Sequence, residues 1–268
     1  MGCTMRLVDS HTHLYLDEFA DDRDEVMKRA QDAGLTHLFM PNIDSTTIEP
    51  MLRLCDAYPS FAFPMMGLHP TSVSQNYREE LGIVRRHLDG LGRYVAVGEI
   101  GIDLYWDTTY QREQEEAFAM QVEWALELGL PIVIHCRKAF RQVYDILKPY
   151  RDTPLSGVFH SFTGEPDDIP YIIEFARFKV GINGVVTFKK STLPALLPSI
   201  PLNRIVLETD SPYLTPAPNR GKRNESANIL YTAARVAQAY GLPVEEIAER
   251  TSANALQLFG LAKPPGLA

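Results

Sequence analysis

Eight short apolar runs divide this chain almost evenly, and they restrict its possible folds more than any other feature of the sequence. The runs are rich in Val, Ile, Leu and Phe, and longer segments with helical periodicity separate them. Such alternation is typical of βαβ units around a parallel sheet. Eight strand–helix pairs spread over 268 residues favour a (β/α)8 TIM barrel over a doubly wound sheet. We therefore predict an α/β protein in which residues 1–268 form a single TIM-barrel domain.

The apolar runs predict strands, and the periodic segments predict helices. Helical segments at 17–34 and 110–129 each end at a glycine, the residue that most often caps the end of a helix. Two more, at 225–241 and 244–260, follow the last strand. No Gly/Ser-rich or Pro-rich linker divides the chain, so we expect no domain boundary. The predicted strands are 6–14, 36–43, 62–70, 94–103, 131–137, 155–162, 178–186 and 204–212.

The charge, the cysteine content and the lengths of the apolar runs disfavour several classes of protein. The net charge of −8 disfavours a broad basic surface that grips duplex nucleic acid through many phosphate contacts. Three cysteines, with no C-x-x-C pattern, indicate a reducing compartment and no disulfides. No apolar run is long enough for a membrane helix, and the first residues lack the apolar core of a signal peptide. We expect a soluble, cytoplasmic protein with no membrane partner, and no obligate protein partner is evident.

Two histidines stand one residue apart in "VDSHTHL". In an extended strand His11 and His13 would project from the same face, where two imidazoles can share one metal ion. Alone, an H-x-H pair is weak support for a metal site, because such pairs also occur by chance. Partners elsewhere in the sequence must decide.

Polar residues of the types that a core avoids follow six of the apolar runs. In a barrel, the carboxyl ends of the strands carry the catalytic groups. A single histidine there would more often be structural, but several on one face predict a metal site. Six nitrogen and oxygen ligands exceed the needs of one catalytic ion, so we predict two ions sharing a carboxylate, Glu99. The strand-end residues are His11, His13, His69, Glu99, His135, His160 and Asp210. Of these, His69 lies outside the six predicted ligands.

The motifs "VDSHTHL", "GLHP", "VGEIGID", "VIHCR", "FHSFTG" and "LETDSPYLTP", with "RGKRNES" shortly after, resemble the TatD family of metal-dependent deoxyribonucleases in the amidohydrolase-like superfamily. The resemblance runs over nearly the whole chain. It implies a 3′→5′ exonuclease that prefers single-stranded DNA or DNA ends.

The resemblance also implies the ligand sets. One metal would be held by His11, His13, Glu99 and Asp210, and a second by Glu99, His135 and His160. The ions could be Mg, Mn or Zn, since imidazole suits Zn or Mn while Mg prefers an oxygen-rich shell.

Three of these residues are candidates for the chemistry. Glu99 is the shared ligand. Asp210 would act as general base, or it would serve as a ligand only, with the water already deprotonated by the metals. His69 would bind the phosphate or protonate the leaving oxygen, and its structural alternative is a histidine fixed by Pro70. His37, at the start of a strand, and His87, on a helix, are expected to be structural.

Basic and aromatic side chains near the strand ends are candidates for holding a polyanion. We predict that Arg137, Lys189, Arg220 and Trp106 contact the substrate together with His69. The alternative is ordinary solvated loop charge, and aromatic rings that pack the loops. Other members of this rim are Lys138, Lys190, Lys222, Arg223, Tyr105, Phe162, Phe188 and Tyr213.

Two rival functions stay open on the sequence alone. A pair of metals can also polarise an ester or amide carbonyl, so a deacylase acting on aminoacyl-tRNA or on a small ester or amide is the first. A binding module with structural metals is the second. It is disfavoured because structural metal sites are usually closed and often rich in cysteine, which the predicted ligand set lacks.

Overall fold

The computed structural model describes residues 5–90 and 92–262 of the chain. Every predicted strand overlaps an observed one, which confirms the eight strands. Most are shorter than predicted. Glu99 and His135 lie within their strands, whereas four other strands end before the polar residues predicted at their ends, His11, His69, His160 and Asp210. The strands are β1 Leu7–Asp9, β2 Leu35–Pro41, β3 Ala62–Met65, β4 Val97–Asp103, β5 Ile132–Arg137, β6 Gly157–Phe159, β7 Phe178–Ile182 and β8 Ile205–Leu207.

Helices connect the strands and cover their outer side. The segment predicted at 17–34 is broken into a 3₁₀ turn, Asp17–Phe19, and a helix that starts at Arg23. The helix predicted at 110–129 is confirmed, and Gly129 ends it with φ 66°. In the described residues the α-helices are α1 Arg23–Asp32, α2 Ile48–Ala57, α3 Tyr77–Leu88, α4 Gln111–Leu128, α5 Phe140–Leu147, α6 Ile169–Glu174, α7 Leu193–Leu196, α8 Ile229–Tyr240 and α9 Val244–Leu258.

The strands form two parallel sheets, β1–β2–β3 and β4–β5–β6–β7–β8. Backbone hydrogen bonds join the sheets at both edges. At one edge Met66 bridges to Val97, and its carbonyl accepts a hydrogen bond from Gly98 N at 3.0 Å. At the other edge Ser10 N donates to Leu207 O at 3.0 Å. The fold is therefore an α/β fold in which the carboxyl ends of all eight strands point to one face.

A buried carboxylate fastens the start of the chain to the segment after β8. Asp9 accepts hydrogen bonds from Thr209 N at 2.9 Å and from Thr209 Oγ1 at 2.6 Å. Burial raises the pKa of Asp9 to about 7, although these hydrogen bonds favour its charged form. Next to this contact, Asp210 N donates to His11 O at 2.9 Å. We call this set of contacts the Asp9 seam.

The predicted first strand extends too far, because β1 ends at Asp9 and His11 and His13 follow it. The backbone there hydrogen-bonds to β2 on one side and to the segment after β8 on the other. Thr12 N donates to Phe39 O at 3.0 Å, and His13 N donates to Ser211 O at 2.8 Å. The two imidazoles nevertheless meet, since their Nε2 atoms lie 3.1 Å apart.

An apolar cluster fills the space between the strands below the polar face. Valines from β1, β5, β6 and β8 form it with Phe39 and Met65. The ring of Phe259, just after α9, stacks on Phe39 with 4.0 Å between centroids. The interior is thus closed on the side opposite the strand-end residues.

Two expectations about the environment of the chain can be compared with the structure. Within the described ranges, no helix combines the length and apolar character needed to cross a membrane. Cys55 and Cys136 are free thiols. Cys3 lies outside the described residues.

Removing the carboxylate of the Asp9 seam should destabilise the fold. We expect Asp9→Ala to lower the free energy of unfolding by roughly 2–5 kcal/mol, because it leaves two buried donors of Thr209 without a partner. Urea unfolding of protein without added metal measures this. Asp152→Ala, which removes an exposed carboxylate, is the control and should change it by less than about 0.5 kcal/mol. Equal effects of both substitutions would contradict the structural role of Asp9.

Candidate metal centre and substrate cavity

A cavity of about 550 Å³ opens among the carboxyl ends of the strands. His11 is completely buried beneath it. Lys189 and Arg220 are not among the residues that line it, so their contact with substrate stays a prediction. The predicted site residues that line it are His13, His69, Glu99, Trp106, Arg137, His135, His160 and Asp210.

Glu99 is the centre of the cluster, and its two oxygens face different groups of imidazoles. Oε2 lies 3.1 Å from His11 Nε2 and 3.7 Å from His13 Nε2. Oε1 lies 2.9 Å from His135 Nδ1, 3.3 Å from His69 Nε2 and 3.7 Å from His160 Nε2. One buried carboxylate therefore stands between two sets of nitrogen donors.

Asp210 closes the cluster from the segment after β8. Its Oδ1 lies 3.6 Å from His13 Nε2, and its Oδ2 lies 3.9 Å from His160 Nε2. The residue has φ 55°, a left-handed conformation that Asp tolerates better than most residues. Burial raises the pKa of Asp210 to about 7.

Two further carboxylates orient two of the imidazoles from behind. Asp103 Oδ2 lies 2.8 Å from His135 Nε2, and Glu208 Oε1 lies 3.1 Å from His160 Nδ1. A carboxylate attracts the protonated nitrogen of a neutral ring, so the other nitrogen keeps its lone pair. In the neutral form of each ring, as a metal ligand requires, the lone pairs of His135 Nδ1 and His160 Nε2 would therefore face Glu99.

Tyr15 does the same for His13. The Tyr15 hydroxyl donates to Pro41 O at 2.5 Å, so it can only accept from His13 Nδ1, which lies 2.8 Å away. His13 Nε2 thus presents a lone pair to the cluster.

His69 is oriented the opposite way. Its Nδ1 accepts a hydrogen bond from Thr71 N at 3.1 Å, so the proton of a neutral ring sits on Nε2. That N–H points toward Glu99 and His135. His69 therefore brings a hydrogen-bond donor to a cluster in which its neighbours bring lone pairs.

The carboxylates of the cluster stabilise positive charge, either on protonated histidines or on a bound cation. Burial disfavours ionisation of Glu99, yet the surrounding histidines outweigh it and hold its pKa well below the usual range. Burial also opposes protonation of the histidines, but hydrogen bonds to Asp103 and Glu99 raise the pKa of His135 to about 9. Glu208 is the main cause that raises the pKa of His160 to about 10. At His13 burial prevails and lowers the pKa to about 4.

These donors fit a divalent metal ion. Three groups of the cluster bring potential ligand atoms within reach of one another: His11 with His13 and Glu99, His11 with His160 and Asp210, and His69 with Glu99 and His135. Imidazole and carboxylate are ordinary ligands of Zn and Mn. The Nε2 atoms of His11 and His13 face each other at 3.1 Å and both lie near Glu99 Oε2, as two imidazole ligands of one cation would. His69 is the one member whose hydrogen bonding argues against ligation.

Residues that the sequence reasoning missed support the cluster from behind. The positions of Asp103 and Glu208 could have been noticed in the sequence. Asp103 is four residues from Glu99 and Glu208 is two from Asp210, and residues an even number apart lie on the same side of an extended chain. Asp9 carried a weaker signal, as a carboxylate inside an apolar strand. Tyr15 carried no signal, because only the fold brings it to His13.

The rim of the cavity holds an aromatic and a cationic side chain in contact. The Arg137 guanidinium lies 4.0 Å from the ring centroid of Tyr105 and 5.3 Å from that of Trp106. Trp106 is 70% exposed, and nothing in the core requires it there. Asp103 Oδ1 accepts hydrogen bonds from Tyr105 N at 2.9 Å and from Trp106 N at 3.3 Å, which fixes this loop.

Other basic residues of the predicted rim have different surroundings. Arg220 stacks over Phe188, 3.9 Å from the centroid of its ring. Arg223 pairs with Asp22 at 2.7 Å and so ties the loop after β8 to the start of the chain. Arg223 therefore has a structural partner within the fold.

The two histidines expected to be structural lie away from the cavity. His37 stacks on Phe63, with 5.3 Å between centroids. His87 Nδ1 lies 3.0 Å from the Tyr94 hydroxyl. Neither residue lines the cavity.

The profile of the family described as "TatD related DNase" matches residues 8–260. The chain belongs to this family. It is a metal-dependent hydrolase of the nuclease type, and the resemblance seen in its motifs is confirmed.

Relatives match over nearly their full length. An uncharacterized metal-dependent hydrolase, YabD of Bacillus subtilis (strain 168), is 34% identical, and the match covers 94% of this chain and 98% of YabD. The 3'-5' ssDNA/RNA exonuclease TatD of Pantoea vagans (strain C9-1) is also 34% identical, with 96% and 100% covered.

Solved structures agree on the fold. YJJV, a TatD homolog from Escherichia coli K12, superposes with a TM-score of 0.90 at 25% identity, covering 97% of this chain and 100% of YJJV. A TatD family hydrolase from Entamoeba histolytica superposes with a TM-score of 0.81 at 20% identity, covering 96% and 98%, and shows the fold alone. The fold that these structures share is TIM-barrel-like.

The position of Glu208 depends on a glycine beside it. A Cβ at Gly181 would collide with the Glu208 carboxylate, which is completely buried. We expect Gly181→Ala to lower the free energy of unfolding by roughly 1–3 kcal/mol in urea titrations. Gly82→Ala is the matched control. It lies in α3, where an added Cβ would meet only the Arg86 side chain at an ordinary contact distance of 3.6 Å, so the substitution should be neutral or stabilise by about 0.5–1 kcal/mol. A neutral Gly181→Ala would show that Glu208 is not fixed in this way.

Proposed function

We propose that this protein is a 3′→5′ exonuclease that hydrolyses phosphodiester bonds of single-stranded DNA with two divalent metal ions. The observation that carries the proposal is the arrangement around Glu99, whose two oxygens face separate groups of imidazoles. A shared carboxylate between two nitrogen-rich groups is what a two-metal centre requires.

The finer description of the fold is part of the same proposal. The hydrogen bonds at both edges support one closed (β/α)8 barrel in which the two sheets are a single surface. We propose further that the chain is one domain. In such a barrel the active site lies at the carboxyl ends of the strands, where the cavity opens.

We propose the ligand sets that the family resemblance implies, and the orientation of His13, His135 and His160 supports them. His11, His13, Glu99 and Asp210 would hold one ion, and Glu99, His135 and His160 would hold the other. Ions bound there would lower the pKa of a water molecule and offset the charge of a phosphate. The imidazole-rich shell favours Zn or Mn, and Mg is the third candidate.

Asp210 is our candidate for taking the proton of the attacking water. Its carboxylate reaches both ligand groups and lines the cavity, so a water between it and a phosphate lies within its reach. The water oxygen forms a bond to phosphorus as the bond to the leaving oxygen breaks, and the proton that Asp210 takes from the water is returned to the leaving oxygen, directly or through solvent. The alternative is that Asp210 is a ligand only.

His69 is assigned to the phosphate and not to the leaving oxygen. Because Nδ1 accepts from Thr71 N, the neutral ring has a single N–H, on Nε2, with which to hold a phosphoryl oxygen. Giving that proton away would leave a costly imidazolate. We infer that His69 stabilises the charge that develops on the phosphate.

Nucleic acid as the substrate is supported by the similarity to relatives such as the 3'-5' ssDNA/RNA exonuclease TatD of Pantoea vagans, and by the rim of the cavity. Arg137 and Trp106 line the cavity and offer a cation and an exposed ring to a strand that enters it. Lys189 and Arg220 would meet the strand farther out. The cytoplasmic location inferred from the sequence stays a prediction.

The test is hydrolysis of a 5′-labelled single-stranded DNA oligonucleotide by metal-stripped protein to which Mg, Mn or Zn is returned. Stepwise shortening that needs metal and is lost in Asp210→Asn is expected. Shortening of an RNA of the same sequence would show that RNA is also a substrate. Silence from protein that retains its metals would overturn the nuclease proposal and favour the rival deacylase, which ester and amide substrates would then test.

Glu99→Ala should remove both ions, because Glu99 is the shared ligand. Elemental analysis of purified protein measures the metal content. Glu127→Ala, on the outer surface, is the control and should leave it unchanged. Two ions per chain in Glu99→Ala would refute the bridging role.

His69→Ala should separate binding of metal from turnover. We expect full metal content, because His69 presents an N–H, and a fall in kcat of about 10²-fold on the oligonucleotide. His135→Ala is the comparison and should lose metal. Loss of an ion from His69→Ala as well would make His69 a ligand and contradict this assignment.

A further inference from the structure

A second cavity adjoins the one at the metal centre. Its volume is about 410 Å³, within the usual range of sites for small molecules. It shares Cys136, Arg137 and His160 with the first cavity, so the two meet along one wall. A ligand anchored at the metal centre can therefore extend into it.

Flat side chains form much of this second cavity. The rings of Tyr105, Phe140 and Phe162 line it, and Arg137 lies stacked against Tyr105, 4.0 Å from the centroid of that ring. Tyr105 is 52% exposed, so most of its ring is available to a ligand. Aromatic and guanidinium planes are the surfaces on which unpaired bases stack.

The second cavity carries charges of both signs. Arg137 and Lys138 line it together with Glu165 and Asp168, and Asp168 Oδ2 accepts a hydrogen bond from Glu165 N at 3.0 Å. The two carboxylates balance the two cations, so the cavity offers a phosphate no net positive charge, whereas a neutral base with amino groups and ring acceptors can pair with groups of either sign. The phosphate belongs beside His69 and Glu99, and the base belongs in the second cavity.

We propose that the second cavity is a subsite for the nucleobase next to the scissile phosphate, and that Tyr105 is its stacking surface. This deepens the proposed function and rests on it. The residue that positions the subsite is Asp103, which orients His135 with Oδ2 and holds the backbone of Tyr105 with Oδ1. The base and the scissile bond are thus fixed relative to one another by one carboxylate.

The experiment compares Tyr105→Ala on complete and base-free substrates. One single-stranded oligonucleotide carries all its bases, and two others lack the base of the terminal or of the penultimate 3′ nucleotide. kcat/KM is measured for the release of the first nucleotide. Tyr105→Phe keeps the ring. Tyr231→Ala removes an exposed tyrosine on α8 that lines neither cavity.

The expected result is a fall of about 5- to 100-fold for Tyr105→Ala on the complete oligonucleotide. On one of the two base-free substrates the same substitution should cost less than about two-fold, because the stacking partner is already missing. Tyr105→Phe, which keeps a stacking ring, should recover most of the activity that Tyr105→Ala loses, and Tyr231→Ala should behave as the unaltered protein does.

Two other outcomes distinguish the failures. An equal loss on all three substrates would overturn the subsite and leave the exonuclease standing, since Tyr105 would then act on folding or on the metal centre. No shortening of the complete oligonucleotide by the unaltered protein would overturn the exonuclease, and the subsite with it.

Discussion

The geometry of the site depends on the hydrogen bonds that the buried carboxylate of Asp9 accepts from Thr209. Burying a carboxylate is costly unless donors satisfy it, and both close donors here come from Thr209. The first and last strands belong to different sheets, so this contact brings together parts of the chain that local structure does not connect. His11 and Asp210 lie immediately beside it, and their distance is set by it.

The other junction between the sheets carries Glu99. Its backbone N donates to Asn42 O at 3.2 Å, two residues beyond Val97, which bridges to Met66. The cluster therefore spans both junctions, with Glu99 at one and Asp210 at the other. A shift of one sheet against the other would separate the two carboxylates, so the precision of the centre depends on both edges being joined.

Much of this arrangement could be predicted from the sequence, and the reason is local. Each strand is an apolar run, and six of the runs contain or precede residues of types that a core excludes, so the common face of those residues follows from the βα alternation. The tautomers of His13, His135 and His160 could not be predicted, because Tyr15, Asp103 and Glu208 reach them only in the folded chain. The pairing of Arg223 with Asp22 was hidden for the same reason.

The Asp9 seam also orders events during synthesis. His11 and His13 leave the ribosome almost two hundred residues before Thr209 and Asp210, which complete their surroundings. At about 5–20 residues per second, the histidine pair waits roughly 10–40 s for its partners. A nascent chain therefore holds only part of the proposed ligand set until the eighth strand has been made. In the proposed centre, full metal occupancy would report that the first and last strands have met.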